Sequence, residues 1–175
     1  MISKTMKKIA IIGSGGAGKS TLAVQLGETL GLDVYHIDSL FWKPGWVSIP
    51  RDELREILTE LVQRESWIID GNYSDSLDIR LAVADTVVFL DFPRHICLWR
   101  VIKRFLQNRG KVRPDMGPGC PEQIDCEFIN WIWSFPINSR PRILQKIEQH
   151  FRGGQVIALR SPREVRQFIG AIVAK

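Results

Sequence analysis

The chain reads as an α/β domain built on a parallel sheet with helices on both faces. Short, β-branched, nearly continuous apolar runs alternate with stretches of helical period along the whole length. Its 175 residues, 45% hydrophobic and 25% charged, have the balance of one globular domain with a sizeable core. Strands apolar on both sides need helices above and below them, which gives a three-layer arrangement.

The first strand is predicted at Lys8–Ile12 and runs into a glycine-rich turn. A helix follows over Lys19–Leu30, with Leu22, Leu26 and Leu30 on one face. The second strand, Val34–Ile37, ends at Asp38, and the helix Arg51–Arg64 carries Leu54, Ile57, Leu58, Leu61 and Val62 on one stripe. Strand three is Trp67–Ile69, with a short helix near Ser76–Val83, and strand four is Thr86–Leu90, with a helix over His95–Gln107. The connection Asn108–Pro121, rich in Gly, Pro and Arg, is the expected mobile segment. Two helices within Glu122–Phe151, a fifth strand at Gln155–Leu159 and a last helix at Arg163–Val173 complete a single domain spanning residues 1–175.

No apolar run approaches the ~18 residues needed to cross a bilayer, and MISKTMKK leads directly into IAII and glycines, so a cytoplasmic protein is expected. Cys97, Cys120 and Cys126 are an odd set without a CxxC, which argues for reduced thiols over a disulfide framework or a four-ligand zinc site. The net charge of +5 invites a nucleic-acid reading. Its distribution weakens that reading. Arg94, Arg100, Lys103, Arg104, Arg109, Lys111 and Arg113 fall in one acid-free segment, and elsewhere acids outnumber bases.

The chemistry is carried by Gly13-Ser14-Gly15-Gly16-Ala17-Gly18-Lys19-Ser20-Thr21, which matches GxxxxGK[ST] and stands between a strand and a helix. Glycines let backbone N–H groups turn toward phosphates, and the helix N-terminus adds partial positive charge. Lys19 reaches the outer phosphate oxygens, and Ser20 offers a hydroxyl to Mg²⁺. This predicts binding of a nucleoside triphosphate. A carboxylate at a neighbouring strand end should assist the metal, and two qualify: Asp70, exposed by the following Gly71-Asn72-Tyr73 turn, and Asp91, which could instead cap a helix. Asp38 could orient or deprotonate an acceptor hydroxyl, with Phe41, Trp42 and Trp46 as either pocket wall or core. His36 reads as a core histidine or a base. Arg100 and Arg104, four apart on one helix face, converge where they could stabilise a transferring phosphoryl group, and the basic connection could close over it.

The succession GSGGAGKST, HIDSLFWKPGW, WIIDGNY, LDFPR, RPDM and LRSPREV resembles the adenylate kinase-like branch of P-loop kinases over nearly the whole chain, and within it the bacterial DNA topology modulation proteins. The resemblance implies a P-loop NTPase fold with strand order 2-3-1-4-5, an acceptor region at about 38–66 and a lid at about 108–135. It implies ATP and Mg²⁺ as cofactors, Asp70 as the metal-side acid, Arg100 packing on adenine, Arg104 on the donor phosphates, and the turn Arg160-Ser161-Pro162 cradling adenine through its backbone. Adenylate kinases continue the strand-three aspartate as DGFPR, whereas DGNYS here has no arginine, and Phe41-Trp42-Lys43 replaces their acceptor-side arginine. Asp38 looks like the hydroxyl-facing aspartate of shikimate and gluconate kinases. The expected activity is phosphoryl transfer to a small hydroxyl-bearing acceptor, nucleoside- or polyol-like, or to a nucleotide, by a monomer or homodimer. The competing expectation is a nucleic-acid-associated ATPase, disfavoured by the absence of further modules; a GTPase is disfavoured by the absence of an NKxD motif.

Overall fold

The apolar runs pair edge to edge, because strands with no polar face can be satisfied only in the interior of a sheet. In the computed structural model, which describes residues 6–174, β1 (Lys8–Gly13), β2 (Val34–His36), β5 (Trp67–Asp70), β6 (Thr86–Leu90) and β7 (Gln155–Leu159) form one parallel sheet in the order β2-β5-β1-β6-β7. Counted without the two-residue strands β3 (Trp42–Lys43) and β4 (Val47–Ser48), this is the expected 2-3-1-4-5. The chain reverses its direction of travel across the sheet around β1. Such a switch point opens a crevice at the carboxyl ends of the strands, where ligands bind in open α/β folds.

Alternation along β1 sends Ile9 and Ile11 to one core, Ala10 and Ile12 to the other. The first core takes its lids from α1 (Lys19–Leu30), α5 (Arg94–Asn108) and α7 (Pro162–Val173) through Leu22, Leu26, Cys97, Val101, Phe168 and Ile172. The second is covered by α3 (Arg51–Leu61) and α4 (Leu77–Leu81) through Leu54, Leu58, Leu77 and Leu81. Helix α6 (Cys126–His150) serves both, with Ile132 in one and Phe135, Ile143 and Ile147 in the other.

Two local expectations are corrected, and one further element is added. The pair of helices expected within Glu122–Phe151 is the single 25-residue α6, which runs through Pro136 and Pro141. Each proline forfeits one intrahelical bond, and buried residues on both sides of the pair hold the axis together. Ile37 does not end β2; it opens the short helix α2 (Ile37–Phe41), whose start is tied by the Ser39 hydroxyl donating to the His36 carbonyl at 2.7 Å. Between α2 and α3, β3 and β4 form an antiparallel hairpin around Pro44-Gly45, a turn pair that presets φ at its first position and allows positive φ at its second. Cys97 and Cys120 are buried free thiols, and Cys126 is exposed at the start of α6. Among the described residues no helix is long and apolar enough to cross a membrane.

Candidate active site

The glycine-rich turn leaves β1 at the sheet's carboxyl edge and enters α1 through Gly18, a left-handed N-cap at φ 96° without a side-chain cap. The first N–H groups of α1 are therefore left to a ligand. Gly16, at φ 75°, lies so close to α5 that a Cβ would sit 2.3 Å from the Cys97 carbonyl oxygen. The Lys19 ammonium donates to the Ser14 carbonyl at 3.0 Å, closing the turn on itself. Burial lowers its pKa, while the negative charges of Asp38 and Asp70 oppose that shift.

Sheet register brings the acids to the same edge, since Asp70 on β5 lies level with Ile11 of β1 and His36 of β2. The Ser20 hydroxyl donates to Asp70 Oδ2 at 2.9 Å, and His36 Nδ1 pairs with Asp70 Oδ1. Burial alone would depress the His36 pKa, but the hydrogen bond and charge of Asp70, with Asp115 and Asp38 behind it, raise it. His36 is thus satisfied by the acid beside it. Asp91 is engaged elsewhere, accepting from Arg140 Nε and Nη2 at 2.9 Å each, and it does not line the cavity.

Beyond Asp70 the chain turns through Gly71-Asn72-Tyr73, and the turn is held from beneath by Arg80. This side chain, inaccessible to solvent, donates from Nη1 to the Gly71 carbonyl at 2.9 Å and from Nη2 to the Asn72 carbonyl at 3.1 Å. Burial pushes its pKa down to about 10. Asn72 Oδ1 accepts from the Gly13 N–H at 3.1 Å, and its buried Nδ2 lacks a protein partner beside the cavity. The Tyr73 hydroxyl donates to Asp38 Oδ1 at 2.7 Å. Burial, then the Asp38 charge, drives the phenol pKa far upward, so it remains a donor.

From the other side, Arg100 Nη1 donates to the Ala17 carbonyl at 3.1 Å with its guanidinium 5.0 Å from the Phe92 ring. Arg104 Nε donates to Glu122 Oε1 at 2.8 Å. Arg113 pairs with the same buried Glu122 and donates from Nη1 to both oxygens of Asp115, at 3.0 and 2.7 Å. The connection carrying these groups is bonded to the β3–β4 hairpin. Gly45 N–H donates to the Gly119 carbonyl at 3.0 Å, Trp46 Nε1 to the Pro121 carbonyl at 3.1 Å, and the Cys120 thiol to the Lys43 carbonyl at 3.2 Å.

Together these elements enclose a cavity of about 930 Å³, toward the upper end of the ~300–1,000 Å³ usual for small-ligand sites. Gly15 through Thr21, Asp38, Arg100 and Arg104 line it as expected, and Gly13 and Ser14 form the strand side of the same turn. Asp70 stands behind Ser20. Of the turn expected to cradle adenine, only Pro162 reaches the wall. The Arg160 N–H is taken by Glu164 Oε2 at 2.9 Å, and Ser161 and Glu164 form a capping box for α7. Sequence reasoning passed over Arg80 and Glu122. Arg80 lies three residues after Leu77 and one before Leu81, on the apolar stripe of its helix, and that placement is the available sign. Nothing local marks Glu122.

No family model matches the chain, and its sequence matches no curated protein. Solved structures do match. Shikimate kinase from Acinetobacter baumannii, in complex with shikimate, superposes with a TM-score of 0.61 at 18% identity, covering 97% of this chain and 92% of that one. Shikimate kinase from Bacteroides thetaiotaomicron gives 0.57 at 18% identity over 96% of both chains. A gluconokinase from Sinorhizobium meliloti 1021 gives 0.51 at 14% identity, covering 98% of this chain and 92% of that one. The chain has the fold of the small P-loop kinases. In that fold the uncapped start of α1 suits phosphate, and the adjoining Ser20 hydroxyl and Asp70 carboxylate are hard oxygen donors suited to Mg²⁺. Among the described residues no cluster of three or more His, Cys, Asp or Glu could hold a metal alone.

Proposed function

We propose that the protein is an ATP-dependent phosphotransferase acting on a hydroxyl group of a small molecule. The observation that carries this reading is the meeting, around one cavity, of an open phosphate turn with Lys19, the Ser20–Asp70 pair, and Asp38, whose charge acts on Lys19. The acceptor oxygen attacks the γ-phosphorus, the bond to the β–γ bridging oxygen breaks, and ADP leaves. The hydroxyl proton passes to Asp38, whose Oδ1 already holds the Tyr73 hydroxyl and whose Oδ2 faces no protein donor among the described residues. Mg²⁺ held by Ser20 with Asp70 behind it would neutralise charge on the outer phosphates. Lys19 and Arg100 stand on the donor side to offset charge that develops in transfer. Arg104 and Arg113, held by Glu122, form a reserve of guanidiniums beside residues 109–125, which act as a lid shorter than the expected 108–135 because α6 begins at Cys126 and buries Ile132 and Phe135 in the cores.

The nucleic-acid reading, and with it the likeness to topology modulation proteins, draws less support. Within the basic segment, Arg104 and Arg113 are spent on Glu122 and Asp115, and Arg94 lies over the Trp133 ring at 4.0 Å. The test is ADP formation by purified protein with Mg²⁺-ATP against nucleosides, nucleotides, sugars and polyols, alongside DNA. Acceptor-stimulated turnover that is lost in Lys19→Ala supports the kinase; turnover raised only by DNA overturns it.

A further inference from the structure

Two non-glycine residues among those described occupy the left-handed region, Trp46 at φ 63° and Tyr73 at φ 21°. Both are aromatic, and both line the cavity. Such backbone is costly for bulky side chains and concentrates at ligand sites. Trp46 packs edge-on to Trp42 with ring centroids 5.4 Å apart, and Phe41 joins Trp42 to Tyr73 at 4.9 Å on each side. The result is a continuous aromatic wall beside Asp38.

The charges on this side are unusual for a site meant to hold an acid. Arg51 and Arg55 are paired with Asp75 and Asp78, Lys43 lies 3.6 Å from Glu53, and none of these three cations lines the cavity. The nearby lid cation, Arg113, is met by Asp115 and Glu122. Lys19 and Arg100 stay on the phosphate turn. Among the described residues the cation that feels the Asp38 charge is Lys19, which the donor phosphates would claim, and Arg166 lines the cavity from α7 beside Pro162 and Val165. With Lys19 engaged by the donor phosphates, a carboxylate or phosphate there would face the Asp38 charge without a counter-ion of its own.

We infer that the acceptor is a ring-bearing alcohol carrying no negative charge, stacked on Trp42 and Trp46 and held by its hydroxyl at Asp38. This rests on the kinase reading and sets the site apart from one built for an acid. Ring faces give sequence-tolerant stacking, and they welcome a cationic substituent as readily as a neutral one.

The experiment is calorimetric titration of the whole protein, loaded with Mg²⁺ and a non-hydrolysable ATP analogue, with ring alcohols in pairs that share a ring and differ in charge. Suitable pairs are thymidine and thymidine monophosphate, methyl shikimate and shikimate, and tyramine and 4-hydroxyphenylacetate. The uncharged or cationic member of each pair that binds is expected to bind at least about tenfold tighter. Trp46→Ala should lose that binding about tenfold or more while the same sample still binds the ATP analogue; Trp46→Phe, which keeps a ring and gives up the bond to Pro121, should retain most of it. The inference is overturned if an anionic member binds as tightly as its partner, or if no neutral or cationic member binds. Acceptor-dependent ADP formation decides the underlying activity separately: phosphorylation of an anionic acceptor would sink the charge assignment and keep the kinase, whereas no stimulation by any acceptor would sink both.

Discussion

Replacing Arg80 by methionine tests how the turn that carries Asn72 and Tyr73 is held. The buried guanidinium makes two hydrogen bonds, to the Gly71 and Asn72 carbonyls, and bonds to a charged donor contribute roughly 1.5–3 kcal/mol each. Removing them costs about 3–6 kcal/mol. Against that stands the cost of keeping the charge dry. Its pKa of about 10, set against an ordinary arginine, corresponds to roughly 3 kcal/mol at about 1.4 kcal/mol per tenfold change. Methionine fills a similar volume, so the net loss is expected at about 0–3 kcal/mol, seen as a fall in melting temperature of up to roughly 10 °C. The catalytic effect should exceed the effect on stability. A released Tyr73 no longer fixes Asp38, and kcat should drop by about tenfold or more while ATP affinity changes little. Thermal unfolding and steady-state kinetics on one preparation give both numbers. A variant as stable and as active as the wild type would refute the view that this cation organises the turn.

Other outcomes follow from the same geometry. Asp38→Asn should lower acceptor-dependent turnover by about 10²–10⁴ with ATP-analogue binding retained, and phosphorylation at the wild-type rate would exclude Asp38 from the proton transfer. Gly16→Ala should destabilise the fold by more than about 1 kcal/mol, because the residue sits at positive φ and its new methyl meets the Cys97 carbonyl; chemical denaturation measures this. His36 has a raised pKa in the fold, so its pairing with Asp70 gives stability that is complete below the unfolded value of about 6.5 and is lost as pH rises through the folded value. Urea midpoints compared at acid and alkaline pH should show that loss in the wild type and a flatter profile in His36→Gln.

The sheet was legible because β5, β1 and β6 are buried on both sides and so almost uninterrupted in apolar character, and because the edge strand Gln155–Leu159, though half exposed, keeps a β-branched apolar run. The phosphate turn was legible because its chemistry is contiguous: nine adjacent residues carry the whole device. What escaped depends on partners distant along the chain. Glu122 acquires meaning only beside Arg104 and Arg113, and the Asp70–His36 pairing only through the register of β2 against β5. Pro136 and Pro141 read locally as a break, yet α6 continues because Ile132 and Phe135 before them, and Ile143 and Ile147 after them, are anchored in the cores. Arg160 was placed by resemblance alone, and in the structure its N–H is given to Glu164 within the same turn.

The bonds between the β3–β4 hairpin and the lid bear on the timing of the catalytic cycle. Two N–H bonds and a weaker thiol bond join them, and at about 1 kcal/mol each the pair parts in only about one molecule in a hundred at any moment. The two pieces are then expected to open as a single flap, which would uncover the nucleotide and the acceptor together, so that both products would depart in the same opening. Amide exchange at Gly45 would report that shared opening, slowing when both ligands are present and matching the rate at which products leave.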